Sequence, residues 1–207
     1  MDTSDAARQP KETTQILDSR QIESMEAAMA QDEKKLCIYD EMIRNLSEPL
    51  ESNEDFTICI NAVDVSQNLS DLADITAEDL FDVFDKTLID ENGHIADGWM
   101  FLRVSGDVTF HRDKKYNVLQ WNLVAASEDT NHVIKERPEL AYTNLVNGDG
   151  RYKYYYEFIE DENYDFVAIY VLSEDVYEHR TLFFNPGYVT FPQIGDGPNE
   201  SHVIRLQ

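Results

Sequence analysis

Arg151-Tyr-Lys-Tyr-Tyr-Tyr-Glu-Phe-Ile-Glu-Asp-Glu-Asn-Tyr-Asp-Phe-Val-Ala-Ile-Tyr-Val-Leu172 is the stretch on which the fold turns. In its first half Tyr152, Tyr154, Tyr156 and Phe158 share one parity and Lys153, Tyr155, Glu157 and Ile159 the other, the period-two signature of a strand. Its second half, Phe166 to Leu172, is apolar at both parities, which predicts a strand covered on both faces. Glu160 to Asp165 has turn composition, so the expectation is a hairpin at the centre of an aromatic-rich sheet. Interleaved Lys and Tyr would also suit a platform for stacking nucleic-acid bases. Such a platform needs a basic groove, and this turn alone carries Glu160, Asp161, Glu162 and Asp165. The rings are therefore assigned to core and cross-strand pairs.

Outward from the hairpin, Trp99–Val104, Asp107–His111 and Tyr116–Val124 read as three strands. Ser105-Gly106 and Arg112–Lys115 supply tight connections, the pattern of an antiparallel meander. Phe56–Ala62, Thr181–Phe184 and Tyr188–Phe191 alternate as further strands. Asn131–Asn144 is ambiguous, a short helix interrupted by Pro138 or a loop, and the tail from Pro192 is expected to be loosely held.

Two helices are predicted. Ile22, Met25, Met29, Asp32, Leu36, Tyr39, Ile43 and Leu46 recur at steps of three and four, a heptad register that Asp18 and Gln21 cap and that no Pro or Gly interrupts before Pro49. This helix would serve either as an amphipathic cover for the sheet or as a coiled-coil or partner helix, with Asp32 weakening the seam. Thr76-Ala-Glu-Asp79 reads as a capping box opening a helix to about Ile89, with Leu80, Phe81, Phe84 and Leu88 buried and Glu78, Asp82 and Asp85 along the opposite stripe. The expected class is thus α+β: an antiparallel, aromatic-rich sheet of hairpins and meander, a long N-terminal amphipathic helix and a second, acidic helix. The expected organisation is a mobile tail over 1–17, the long helix within 18–50, and a single α+β domain over 51–207.

Charge is the strongest global signal. The formal net charge is -24, and its distribution localises it: residues 56–98 hold 10 acids and 1 base, whereas residues 99–147 hold 6 of each. Such a field repels nucleic acid and anionic membranes and attracts a basic protein surface; the bland counterpart is a solvated coat. No apolar run reaches the roughly 18 residues of a membrane span, and the first residues lack the pattern of a secretion signal. With only Cys37 and Cys59, neither a disulfide framework nor a thiolate metal site is expected, and a cytoplasmic location is.

No catalytic motif emerges. His94, His111, His132, His179 and His202 lack the spacing of a helical metal pair, and no carboxylate partner stands out at motif distance. The glycines do not form a phosphate loop, and no Ser or Cys sits in a nucleophile elbow. Asp90, Asn92 and Gly93 fit part of a calcium loop, but Leu88 and Trp99 fall at its two end-ligand positions, so no metal and no cofactor is expected. The expectation is a non-enzymatic interaction module whose acidic residues, Asp71, Asp74, Glu78, Asp79, Asp82, Asp85, Asp90 and Glu91, engage a basic partner. Nucleic-acid-binding enzymes are one such class of partner, and carboxylates about 6 Å apart along a helix would suit a phage-type inhibitor or immunity protein acting as a DNA mimic (anti-restriction, anti-CRISPR or anti-nuclease). The alternative is a structural or assembly protein of a virion or complex, forming homo-oligomers through the heptad helix 22–46.

Overall fold

The computed structural model describes residues 36–52, 55–82, 84–127, 133, 138–146, 154–187, 191–192 and 197–207, all within one compact unit, Glu33–Gln207. The described residues form eleven strands: β1 (Ile43–Arg44), β2 (Leu50–Ser52), β3 (Phe56–Ser66), β4 (Trp99–Phe110), β5 (Lys114–Asn117), β6 (Asn122–Ser127), β7 (Glu139–Thr143), β8 (Tyr155–Phe158), β9 (Asn163–Ser173), β10 (Arg180–Asn185) and β11 (Val203–Arg205). The one α-helix among the described residues is α1, Glu174–His179. The strands form a five-stranded sheet β2-β3-β4-β9-β7, a four-stranded sheet β1-β11-β10-β6 and a two-stranded ribbon β5-β8. This is a sandwich-like β architecture, and it replaces the expected α+β class.

Alternation builds the layers. On β4, Leu102, Val104, Val108 and Phe110 face the central core while Phe101 faces outward; on β9, Phe166, Ala168, Tyr170 and Leu172 face inward while Ile169 and Val171 face outward. β9 is thus covered on both sides, as its unbroken apolar run predicts. The second sheet repeats the rule, with Leu123, Leu182, Phe184 and Ile204 turned to the core and Val124, Phe183 and Val203 turned to a third cluster around Ile38 and Met42. Burying each such side chain stabilises by roughly 1.5–3 kcal/mol, so the doubly covered strands carry the fold.

The hairpin expected over 151–172 does not close. β9 pairs with β4, ending at Thr109↔Asn163, and β8 pairs with β5, beginning at Lys114↔Phe158. The two pairs are one antiparallel ribbon bent at a corner. There Asp161 N–H donates to the Phe110 carbonyl (2.8 Å) and Glu160 N–H to Asp113 Oδ1 (2.8 Å). The acidic turn ties down β4 and its exit rather than joining neighbouring strands. The fold-over brings the Tyr156 and Phe158 rings to 5.7 and 5.2 Å from Tyr164; Phe158 is core and Tyr154 and Tyr156 pack partly buried against it, while Tyr152 lies outside the described residues.

The meander is also corrected. Ser105-Gly106 is no turn: β4 runs unbroken through it, opposite a bulge between Ile60 and Ala62 of β3. A Cβ at Gly106 would lie 1.9 Å from the Cys59 carbonyl oxygen, so glycine serves close backbone approach here. The extra residue at the bulge switches the buried parity of β3 from Phe56, Ile58 and Ile60 to Val63. Tyr116–Val124 is divided by a 3₁₀ turn at Val118–Gln120 into β5 and β6, and the ambiguous 131–144 region contains β7. The terminus forms β11 between β1 and β10, with Val203 and Ile204 buried, and is not a loose tail.

Both helices need correction. Ile22, Met25, Met29 and Asp32 lie outside the described residues. Leu36 is in an isolated bridge, Tyr39 is extended, Asp40–Met42 is a 3₁₀ turn, Ile43 is in β1 and Leu46 lies in an exposed turn. The heptad register is therefore not a helix or coiled coil through residue 46, because the second sheet recruits Ile38, Met42 and Ile43 for its cover and edge. In place of the acidic helix stand 3₁₀ turns at Ala77–Asp79 and Lys86–Leu88. The predicted capping box forms at Thr76 and Asp79, and Leu80, Phe81 and Phe84 are buried as expected, whereas Leu88 is only partly buried. The chain leaves the helical path because Phe81 N–H pairs with the Ala141 carbonyl of β7 (2.8 Å).

Candidate functional site

Residues 67–98 cover the outer face of the five-stranded sheet. Leu69, Leu72, Leu80, Phe84 and Ile95 pack on Phe101, Ile169 and Val171, and bridges Asn68↔His94 and Ile89↔Ile95 close the segment on itself. With its apolar side chains turned to the sheet, its acids face solvent. Asp71, Asp74, Glu78, Asp79, Asp82, Asp85, Asp90 and Glu91 are all exposed, so the structure gathers the eight predicted residues onto one cover segment. Lys86, the single base of 56–98, donates to the Glu78 main-chain carbonyl (3.1 Å).

The carboxylates divide by use. Asp79 accepts from the Thr76 amide (2.8 Å) and Oγ1 (3.0 Å), and Asp85 from the Thr87 amide (3.0 Å) and Oγ1 (2.7 Å). Asp90 accepts from the amides of Asn92 and His94 (both 2.9 Å), and Asp71 from Ser66 Oγ (2.7 Å). These acids fix the loop. Asp90 is thereby committed to the Asn92-Gly93 turn, where Gly93 has φ 83°. Asp74, Glu78 and Glu91 have no ion pair among the described residues. Glu78 and Glu91, distant in sequence, come together with Asp90 on the walls of a cleft of about 640 Å³ that Leu69, Ile75, Thr76 and Gly93 also line.

Hydrogen bonds to the charged form hold the Asp79, Asp85 and Asp90 carboxyls below the ordinary aspartate range: from the Thr76 amide, the Thr87 side chain and the His94 amide first, respectively. A depressed folded-state pKa stabilises above the unfolded value and is lost as pH falls through the folded one. Acidification below the ordinary aspartate range is therefore expected to loosen these turns. Carboxyl carbon shifts followed by NMR against pH should give all three midpoints below that of a free aspartate, and midpoints at or above it would contradict the loop-fixing role.

Because the segment is not helical, Glu78, Asp82 and Asp85 do not line a regular stripe. The evenly spaced carboxylate ladder that a DNA mimic requires is absent among the described residues of this segment, and the phage-type inhibitor reading loses its geometric basis. Of the oligomerisation residues, Leu36 accepts from Val133 N–H (3.1 Å) and Tyr39 Oη from Gly197 N–H (3.3 Å); both belong to the sandwich's own cover.

Histidine partners were missed in the sequence. Asp90 and His94 (3.8 Å), and Asp175 and His179 (3.8 Å), pair four residues apart, a spacing visible in the chain but outside the metal and triad patterns. His111 stands between Thr57 Oγ1 (2.8 Å) and Asp161 (3.9 Å), a pairing that only strand register creates. At 3.9 Å the carboxylate does not hydrogen-bond Nδ1, so the imidazole is not oriented as a charge relay requires. His202, whose pKa burial and Arg44 both lower, lines a different cleft of about 620 Å³ with Arg44, Glu51 and Glu200. The basic cluster at 112–115 is engaged locally, Arg112 with Asp55 and Lys115 with Glu157 (3.3 Å).

Among the described residues no group of His, Cys, Asp and Glu is arranged to hold a metal ion, and no helix is long and apolar enough to cross a membrane. No family model and no curated protein matches the chain. Solved structures similar to it include the following. An uncharacterized beta-sandwich protein from Clostridium difficile 630 is 12% identical with a TM-score of 0.42, over 79% of this chain and 94% of that one. The yjhA protein from Bacillus subtilis is 12% identical with a TM-score of 0.43, over 79% and 99%. A functionally unknown protein from Listeria monocytogenes EGD-e is 14% identical with a TM-score of 0.37, over 68% and 73%.

Proposed function

We propose that the protein is a non-catalytic binding module whose cover segment, residues 67–98, engages a basic protein surface. The observation behind the reading is that Asp74, Glu78 and Glu91 stand exposed on a segment whose turns are held by Asp71, Asp79, Asp85 and Asp90, so a preformed negative surface is offered at small ordering cost. Association would be steered by charge and weakened by salt. A location inside the cell goes with this reading, since Cys37 and Cys59 are both free thiols.

The test uses a labelled oligolysine peptide as the probe. Replacing Asp74→Asn, Glu78→Gln and Glu91→Gln together is expected to weaken binding about tenfold, from roughly 0.5 kcal/mol per exposed charge, and to flatten its salt dependence. Glu41→Gln, Glu51→Gln and Glu200→Gln, exposed elsewhere, remove the same net charge and serve as the control. Equal losses in the two triple variants would show that net charge alone attracts the peptide, and salt-independent binding would remove the reading.

A further inference from the structure

Where the cover segment meets the end of the five-stranded sheet, a second cleft of about 460 Å³ opens, and it is mainly apolar. Phe84 and Leu88 of the cover, Trp99 of β4, Val171 of β9 and Val176 of α1 line it. Trp99 is 37% exposed, among the few large apolar side chains so placed, whereas Trp121 is fully buried. Two carboxylates also line the cleft, Glu139 at the start of β7 and Asp175 in α1. An apolar hollow with an acidic border suits a side chain that is itself apolar but lies between cations.

We propose that this cleft receives an apolar anchor residue, flanked by Lys or Arg, from the same basic partner that the cover segment attracts. The inference rests on the acidic-surface reading and adds to it a source of specificity. Charge brings the partner on, and the anchor holds it. Like charge disfavours a second copy of this chain as the occupant, since each copy carries a net -24.

Two probes distinguish the readings: a peptide of alternating lysine and serine with one central phenylalanine, and its twin with alanine there. The full chain has two tryptophans, so the indole N–H signals report location directly, assigned by Trp99→Phe. The phenylalanine peptide is expected to shift the Trp99 signal and leave Trp121 in place, and to bind at least about tenfold tighter than its twin. Trp99→Ala and Leu88→Gln, two independent changes in the cleft, should each reduce its affinity to that of the twin. If both peptides bind alike with Trp99 unmoved, the anchor site falls while the acidic surface stands; if neither binds at low salt, the acidic surface itself falls. A Trp99 shift that follows protein concentration alone would assign the cleft to a second copy, and one produced equally by hexylamine would assign it to small amphiphiles. Either result overturns the proposal.

Discussion

Gly106→Ala is expected to destabilise the protein by about 3 kcal/mol or more, read as a lowered midpoint of urea unfolding, with Ser105→Ala beside it costing far less. The new methyl group would meet the Cys59 carbonyl oxygen at 1.9 Å. That oxygen is main chain in a strand paired residue by residue with β4, so it cannot rotate away as a side chain would. Relief requires β3 to separate from β4 or the bulge at Ile60/Ala62 to move. Losing the extra residue of the bulge would slip this part of β3 by one place against β4 and turn Phe56, Ile58 and Ile60 away from the core. A midpoint unchanged from the parent protein would mean that the strands do not approach here as described.

Trp121→Ala is expected to cost about 4 kcal/mol, a fall in Tm of roughly 10 °C for a chain of this length. Trp121 is fully buried, with its ring centroid 4.9 Å from Phe166, 6.3 Å from Phe184 and 6.4 Å from Tyr116. It thus touches β9, β10 and β5 together and fills the centre of the sandwich. Its main-chain carbonyl accepts from Tyr170 Oη at 3.0 Å, a bond the substitution leaves in place, so the loss is one of packing. Trp121→Phe should recover a large part of it. A loss below about 1 kcal/mol for alanine would place the core's centre elsewhere.

Burial was more legible in the sequence than conformation. Leu80, Phe81 and Phe84 are buried as their pattern suggests, yet they occupy turns, because apolar spacing over a short run fits a loop pressed onto a sheet as well as a helix. The heptad spacing failed in the same way at Leu36 to Leu46, where the edge of the second sheet offered Ile43 a strand partner in Val203. Ser105-Gly106 has turn composition, but a glycine required for backbone approach looks identical in sequence to one required for a turn. The acidic residues could be named from the chain because charge needs no fold to be counted. The division between Asp79, Asp85 and Asp90, which hold turns, and Asp74, Glu78 and Glu91, which do not, depends on hydrogen bonds. The apolar cleft at Trp99 was not foreseen, since its walls come from the cover, β9 and α1.

What the residues determined by themselves is local: strand character in Phe56–Ile60 and in the apolar run of β9, the capping box at Thr76, and an excess of negative charge between 56 and 98. These follow from steric alternation and composition over a few neighbours. Which strand pairs with which was decided only by the tertiary structure. The bend at 111–113 and 159–162 takes β5 and β8 out of the five-stranded sheet and sets the Tyr156 and Phe158 rings against Tyr164, contacts between residues on successive strands that parity alone does not specify.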